Sequence, residues 1–305
     1  MQVFRHIPTT LQSPCALAIG NFDGLHLGHQ ALLKKLTQTA KALNLTSAVM
    51  TFEPHPREFF TPESAPARLC SLREKLEHFA EAGVERIYLC HFNRRFAKVT
   101  AEEFMQNILR DALNAQAILV GEDFRFGAKR AGSIQDFVDA KFNLVSLPQV
   151  NLAELDLEPA RVSSTRVRLA LAAGHLQQAA ALLGRSYSMS GKVVHGAMRG
   201  RQLGFPTANV HMRHERPALT GVYAVKLDGL NSVANLGVRP TIAGLPKLLL
   251  EVHVLDFAGN LYDKHVHIEF LHKIRDEMKF ENLDALKAQI AADVKVARDF
   301  FIARS

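Results

Sequence analysis

The sequence predicts an α/β protein of two domains, in which a doubly wound parallel sheet is followed by an antiparallel β-barrel and a C-terminal helix. Up to residue 184, short apolar runs alternate with helical patterns. From residue 187 to about residue 275, the runs become short and β-like, and Gly or Pro occurs in their connections. A helical period returns from residue 282 to residue 303. These three observations separate the two parts of the chain.

The first domain is predicted over residues 1–184. Its strand candidates are short apolar runs at 15–20, 47–52, 85–91, 116–121 and 143–148. Helices fill the gaps, and two of them begin with a capping box, because Ser71 and Thr100 are each followed by Glu three residues later. Strands and helices that alternate at this spacing predict a parallel sheet, which binds ligands beyond the carboxyl ends of its strands.

The second domain is predicted over residues 185–305. Its short β-like runs have no convincing long helix between them, which favours a compact antiparallel barrel or sandwich. The last segment has apolar residues at steps of three or four, namely Leu283, Leu286, Ile290, Val294, Ala297 and Phe301. We expect this segment to form a helix that covers one side of the barrel.

The composition favours a globular protein with small anionic ligands. Of the 305 residues, 48% are hydrophobic and 22% are charged, and 37 basic residues against 30 acidic ones give a net charge of +7. The basic residues are scattered, so the pattern favours ligands with a few phosphates over nucleic acid. No signal peptide or membrane-spanning run is evident, and three cysteines without metal-ligand spacing fit buried thiols. We therefore expect a cytoplasmic protein.

Residues 20–29 join the first apolar strand to an amphipathic helix and contain His26 and His29. A strand that leads through a Gly-rich turn into a helix N-terminus is a recurrent phosphate site, because the first N–H groups of the helix lack partners. The two histidines lie one helical turn apart and can point at one spot. A zinc site is the alternative, but it would need a third ligand, and none is suitably spaced nearby.

Two further segments of the first domain are candidates for ligand binding. Residues 121–127 follow another apolar strand, although a turn with two core phenylalanines would produce the same pattern. Residues 163–168 begin a helix with three hydroxyl side chains and two arginines, which a polyphosphate would need, but Ser or Thr at this position is commonly only a cap.

The second domain carries a Gly-rich segment at residues 191–209. It contains no Walker A loop, so a kinase here would hold phosphates differently. Thr207 and Asn209 offer two oxygen ligands to one Mg²⁺ if the segment is extended, although a strand entry that contains Pro is the simpler interpretation. Glu251 lies within an apolar strand, where an acid usually faces outward, and it would accept a substrate proton if it faced the ligand.

Residues 20–29 resemble the His-x-Gly-His signature of the nucleotidyltransferase superfamily, and residues 163–168 resemble its second phosphate motif. The resemblance implies a Rossmann-like domain that transfers a nucleotidyl group and releases pyrophosphate, with His26 and His29 stabilising the charge on phosphorus. It assigns ATP and phosphate binding to Gly20, Phe22, Asp23, Gly28, Ser164, Thr165 and Arg168. Residues 121–127 resemble the flavin segment of bacterial FAD synthetases, which implies that Asp123, Phe124, Arg125 and Phe126 bind flavin.

Residues 191–209, 235–241, 250–253 and 275–280 resemble the riboflavin kinase barrel. The resemblance implies that Gly191, Lys192, Gly204 and Pro206 bind ATP and that Thr207 and Asn209 bind Mg-nucleotide. It also implies that Glu251 is the catalytic base and that Arg275 approaches the flavin. Residues 242–248 are more apolar than this family would suggest, which affects only the details of the flavin loop.

The two domains in this order are similar to the bacterial bifunctional riboflavin kinase/FAD synthetases over nearly the whole chain. That family implies riboflavin, FMN and ATP as substrates, FAD as a product, Mg²⁺ as cofactor, and a monomer or weak homo-oligomer without nucleic-acid or membrane partners. One alternative is a different acceptor, nicotinamide mononucleotide or phosphopantetheine. Another is a flavin-binding regulator, for which the sequence lacks a clear DNA-recognition helix.

Overall fold

The computed structural model describes residues 1–152, 160–196, 204–212, 216–239 and 247–304. The chain folds into two compact units, residues 1–66 with 75–163 and residues 67–74 with 164–305. The first unit contains the parallel sheet, and the second contains the barrel. The two helices that precede Gly184 fall in the second unit, so the domain boundary at residues 184–185 stays a prediction.

A six-stranded parallel sheet forms the first unit, in the order β1-β4-β3-β2-β5-β6. Its strands are β1 Gln2–Phe4, β2 Cys15–Ile19, β3 Thr46–Glu53, β4 Arg86–His91, β5 Ala115–Gly121 and β6 Asn143–Leu147. The five predicted strands are confirmed. The short edge strand β1 was missed, because three mostly exposed residues make no apolar run. A small antiparallel pair follows, β7 Asn151–Leu152 and β8 Ala160–Arg161.

Helices connect these strands as the alternating pattern predicts. They are α1 Leu27–Ala42, α2 Pro56–Phe60, α3 Leu72–Glu81, α4 Ala101–Glu103 and α5 Ile134–Asp139, and α4 continues as a π-helix over Phe104–Ala112. Both predicted capping boxes are present. The Ser71 amide donates to the Glu74 carboxylate at 2.6 Å, and Thr100 and Glu103 bond each other's main-chain N–H groups. These bonds satisfy N–H groups that would otherwise lack partners at the helix starts.

The strand order determines where a ligand would bind on the sheet. From β2, the chain moves to β3 and β4 on one side, and later to β5 and β6 on the other. The carboxyl ends of β2 and β5 therefore flank the point where the strand order reverses, and crevices for ligands form at such points. Residues 20–29 follow β2 and residues 122–127 follow β5, so two predicted ligand segments begin at this edge.

Among its described residues, the second unit contains a closed antiparallel barrel in the order β10-β13-β12-β11-β14-β9, with two helices before it and one after it. The elements are α6 Ser164–Ala172, α7 Leu176–Leu183, β9 Tyr187–Val194, β10 Ala208–His211, β11 Gly221–Leu227, β12 Leu230–Arg239, β13 Lys247–Val254, β14 His265–Arg275 and the final helix α8 Leu283–Ile302. This confirms the barrel and its helix. Helix α8 begins at an Asn282 cap and packs Ala297 and Phe301 against barrel residues such as Val222.

Side chains alternate along the barrel strands. Leu250 and Val252 of β13 are fully buried, whereas the intervening Glu251 is half-buried. The polar side chains of β13 thus lie on the outer face, opposite the core. No helix in the described ranges is both long enough and apolar enough to cross a membrane.

Candidate functional sites

The turn after β2 has an unusual backbone conformation. Phe22, Gly24 and Leu25 have positive φ angles of 49°, 77° and 40°. Such angles are uncommon for residues with a side chain, and the surrounding packing must hold them in place. Phe22 is fully buried, and its ring packs edge-on against Phe79 at a centroid distance of 5.2 Å. Side-chain packing therefore fixes the conformation of the turn that leads into α1.

The two histidines meet at this helix start, as their spacing predicted. The rings of His26 and His29 stack with centroids 3.7 Å apart and an angle of 17° between their planes. His26 is the N-cap of α1, and its Nδ1 accepts the His29 amide at 3.4 Å. Neutral His26 then carries its proton on Nε2. A Cβ atom at Gly28 would lie only 3.2 Å from the His26 ring, so glycine there leaves room for the imidazole.

His29 is held in its neutral form. Burial lowers its pKa well below 6.5, and the neighbouring charges of His26 and Lys75 lower it further. Its Nδ1 atom is buried and has no hydrogen-bond partner among the described residues. Lys75, which no sequence motif marks, lies on α3 and donates to the Asn21 carbonyl at 2.8 Å. Only the fold brings this lysine to the turn.

The segment after β5 places its predicted flavin residues in different surroundings. Phe126 is buried and stacks on Phe137 at 4.4 Å, and Phe124 stacks on both rings at longer range. Asp123 is exposed and forms an ion pair with Arg161, and Arg125 is exposed. The packing of Phe126 is that of a core residue, so the exposed side chains are better suited to contact a ligand. The flavin role of all four remains a prediction.

The predicted phosphate motif begins α6. Ser164 is the first residue of this helix and Thr165 the second. The Arg168 side chain donates from Nε to the Ala67 carbonyl at 2.6 Å, within the same compact unit. A guanidinium carries five N–H donors in a rigid fork, which suits the oxygens of a phosphate. The phosphate-binding role of these three residues stays a prediction.

On the barrel, Glu251 lies between two asparagines. Asn209 of β10 and Asn235 of β12 are its directly opposite partners on either side. Side chains of opposite residues in antiparallel strands share a face, so a carboxylate and two amides line one strip of the outer surface. Gly196 adjoins Asn209 so closely that a Cβ atom there would overlap the Asn209 amide group. The strip offers hydrogen-bonding and oxygen-ligand groups around one acid.

The segment that leads into this strip is tied to β13. The ring Nδ1 of His253 bonds the Pro206 carbonyl at 2.8 Å, and the Phe205 ring meets the imidazole edge-on at 5.6 Å. Thr207 follows at once and is half-buried, like Asn209. His253 and Glu251 lie on the same face of β13. Strand β13 thus carries Glu251, the predicted base. It also carries His253, which positions the segment that leads to the predicted metal ligands.

The other residues of the barrel that were predicted to bind ATP each have a structural role in the fold. A Cβ atom at Gly191 would lie 2.5 Å from a main-chain oxygen of β10, so glycine is needed there for strand packing. Lys192 pairs with Asp263 at 2.8 Å on the surface. Gly204 has a φ of 89° with open space around it, so it serves a turn. Residues 197–203 of this predicted segment lie outside the described residues, and the ATP roles remain predictions.

Arg275, predicted to approach the flavin, is engaged by α8. Its guanidinium donates from Nε and Nη2 to the Asp293 carboxylate at 3.0 and 2.8 Å. Asp293 is 3% exposed. This pair ties the end of β14 to the final helix, and the flavin role of Arg275 stays a prediction. The apolar segment at residues 242–246, which also concerned the flavin loop, lies outside the described residues.

Comparisons with known proteins cover both units. The family model for FAD synthetase matches residues 9–166, and the model for riboflavin kinase matches residues 183–301. A crystal structure described as a macrolide-efflux protein from Streptococcus pneumoniae aligns with a TM-score of 0.80 and 31% identity. The alignment covers 97% of this chain and 99% of that one.

Curated relatives match over nearly their whole length. The bifunctional riboflavin kinase/FMN adenylyltransferase of Haemophilus influenzae is 44% identical, covering 99% of both chains. The protein of the same description from Escherichia coli K12 is 45% identical over 99% of this chain and 98% of its own. The one from Pseudomonas fluorescens is 48% identical over 93% and 92%. With both family models on one chain of matching length, this protein belongs to the bifunctional riboflavin kinase/FMN adenylyltransferase family.

Proposed function

We propose that this chain carries out both reactions named for its family. The barrel transfers the γ-phosphate of ATP to the 5′-hydroxyl of riboflavin, which yields FMN and ADP. The α/β unit then transfers the adenylyl group of a second ATP to FMN, which yields FAD and pyrophosphate. The observation that carries this proposal is the presence of both family domains in one chain.

In the kinase step, Glu251 accepts the proton of the ribityl hydroxyl as that oxygen attacks the γ-phosphorus, and ADP leaves with the electrons of the broken bond. The position of Glu251 between two amides on an open face supports this role. Positioning and charge neutralisation provide most of the catalysis in phosphoryl transfer. His253 contributes by holding the Pro206 carbonyl, and thereby the segment that leads to Thr207.

The oxygen-donor chemistry of this site fits Mg²⁺. Thr207 and Asn209 offer a hydroxyl and an amide oxygen, which are hard ligands of the kind that Mg²⁺ prefers, and substrate phosphates complete its shell. When bound, the ion neutralises phosphate charge. We propose these two residues as its protein ligands. Whether the chain is a monomer or a weak homo-oligomer remains a prediction that light scattering would test.

In the adenylyl step, a phosphate oxygen of FMN attacks the α-phosphorus of ATP, and the bond to the bridging oxygen of the β-phosphate breaks. His26 and His29 stabilise the negative charge that develops on the phosphoryl oxygens, which is electrostatic catalysis by groups already in place. The turn that contains Gly20, Phe22, Asp23 and Gly28 adjoins the nucleotide phosphates. By family resemblance, Ser164, Thr165 and Arg168 bind the β- and γ-phosphates, and residues 123–126 contact FMN.

The test is a time course with riboflavin and Mg-ATP, with the flavins separated by chromatography. We expect FMN to rise first and then to convert to FAD. Glu251→Gln should reduce FMN formation by roughly 100-fold or more and leave the conversion of added FMN to FAD intact. His29→Ala should reduce the conversion of FMN to FAD and leave FMN formation intact. In each variant, the activity that persists shows that the unmutated unit is still folded. Normal FMN output from Glu251→Gln would refute the base assignment, and normal FAD output from His29→Ala would refute the histidine role.

A further inference from the structure

Lys75 is a buried cation that the reaction scheme leaves unused. It lies on α3 and is 5% exposed. Its ammonium donates to the Asn21 carbonyl at 2.8 Å, and within the described part of the chain it has no carboxylate partner. Lysine is almost never fully buried without a partner, because removing its charge from water costs free energy. A buried lysine with only a carbonyl for a partner needs a functional explanation.

The carbonyl that Lys75 contacts is an anchor of the turn after β2. The Thr51 hydroxyl, which is fully buried on β3, donates to the same oxygen at 3.2 Å. The next residue, Phe22, has a positive φ of 49°. Two side chains from different elements therefore hold the carbonyl just before the strained part of the turn. That turn ends at His26, which caps α1, so Lys75 influences where both histidine rings lie.

Lys75 also acts on His29 through its charge. The titratable groups whose charge acts on His29 are His26 at the start of α1 and Lys75 on α3. Both disfavour a positive imidazole, as does the burial of the ring. The Phe22 ring, at a centroid distance of 5.1 Å, adds an apolar neighbour. Before substrate binds, His29 thus lies in the field of the Lys75 ammonium, which water screens weakly because the lysine is buried.

We propose that Lys75 is a positioning residue for adenylyl transfer, which anchors the turn through Asn21 and keeps His29 neutral until the phosphates of ATP bring negative charge to the site. The proposal rests on the proposed function of the α/β unit. A neutral His29 is not repelled by His26 or Lys75 in the free enzyme, and an anionic ligand offsets the charge of Lys75. The lysine therefore links the protonation of His29 to nucleotide binding.

Four variants separate charge from anchoring. Lys75→Met keeps the length of the side chain but removes its charge and its hydrogen bond. Lys75→Arg keeps the charge. Thr51→Val removes the other hydrogen bond to the Asn21 carbonyl without changing any charge. Lys35→Met removes an exposed lysine from α1 and is the matched control.

The first readout is the NMR titration of the His29 ring in the full-length protein without nucleotide, assigned by comparison with His29→Gln. In the wild type, we expect His29 to titrate well below 6.5. Lys75→Met should raise the pKa of His29, while Thr51→Val, Lys75→Arg and Lys35→Met should leave this pKa nearly unchanged. A packing role for Lys75 would not produce this pattern.

The second readout is FAD formation from added FMN and ATP, with riboflavin phosphorylation by the same chain as the internal control. Lys75→Met should lower FAD formation by about tenfold to a hundredfold, as expected for a misplaced reactive group, and Lys75→Arg should restore most of it. The proposal is overturned if wild-type His29 titrates near its ordinary value, a result that does not depend on any variant folding. It is also overturned if Thr51→Val shifts the titration as much as Lys75→Met does. Absence of FAD formation in the wild type would instead refute the proposed function.

Discussion

Replacement of Asp293 by Ala tests the energetics of the contact between α8 and the barrel. The Asp293 carboxylate accepts three hydrogen bonds from Arg275 and one from Gln289, at distances of 2.8 to 3.1 Å. Removing one partner of a buried ion pair costs about 3–5 kcal/mol, because the other charge is left without compensation. The Arg275 side chain is 19% exposed, so water recovers part of that cost. We therefore expect a loss near the lower end of that range, about 3 kcal/mol.

Hydrogen exchange measured by mass spectrometry is the suitable assay. The chain has two compact units, so a single global transition would not report on the barrel alone. A loss of about 3 kcal/mol corresponds to a fall in protection of roughly 100-fold in peptides from β11 and β14 if these strands open together with the barrel. Asp299→Ala, which removes an exposed acid from the same helix, should have little effect.

A double replacement distinguishes two causes of this loss: the missing attraction between Arg275 and Asp293, and the cost of leaving the Arg275 charge buried without a partner. Arg275→Met with Asp293→Leu fills similar volume without charge and should recover most of the lost protection, because apolar substitutes for buried ion pairs are often neutral or stabilising. If Asp293→Ala lowers protection by less than about threefold, the inference that this pair is desolvated and stabilising is refuted.

Three further predictions concern the two units separately. His253→Ala should lower FMN formation by about tenfold with little effect on FAD formation from added FMN, because the Pro206 carbonyl loses its partner; equal loss in both assays would contradict this. Gly191→Ala should destabilise the barrel by about 1–3 kcal/mol, since its Cβ would overlap a neighbouring strand, and unchanged exchange in β9 would contradict it. Ser47 donates main-chain and hydroxyl hydrogen bonds that lower the pKa of Glu85 below 4.5, so this contribution to stability is present above pH 4.5 and is lost as the pH falls through the folded-state value. Ser47→Ala removes only the hydroxyl bond and keeps the main-chain one, so it should flatten the acid limb of the stability curve of the α/β unit in part. An unchanged limb would rule out the hydroxyl contribution.

Much of the fold could be read from local patterns. The four inner strands β2 to β5 were predictable because central parallel strands are buried on both faces and form nearly continuous apolar runs. The fifth predicted strand, β6, lies at an edge without a fully buried side chain, and the alternation of strands with helices indicated it. The edge strand β1 was not predictable, since an edge of three residues needs little apolar surface. For the barrel, the sequence indicated short antiparallel strands but left a sandwich open. Closure depends on the pairing of β9 with β10 and β14, the second of which is distant in the chain.

The candidate sites likewise contain some features that the sequence could predict and others that it could not. The stacking of His26 and His29 follows from a helical spacing of three residues, so the sequence could predict it. The position of Glu251 between Asn209 and Asn235 could not be predicted, because register between strands is a long-range property. A charged residue in a helix usually marks a solvated face, so nothing local distinguished Lys75 from other lysines.

The sequence by itself determined the fold class, the two-domain organisation, the histidine motif and the family to which the chain belongs, because these depend on spacing within single elements and on short motifs. The tertiary structure decided which side chains from different elements meet: Lys75 and Thr51 at the Asn21 carbonyl, His253 at Pro206, and Asp293 at Arg275. Such meetings depend on how elements pack and on which charges lose access to water. Neither property is encoded in the spacing of any one segment.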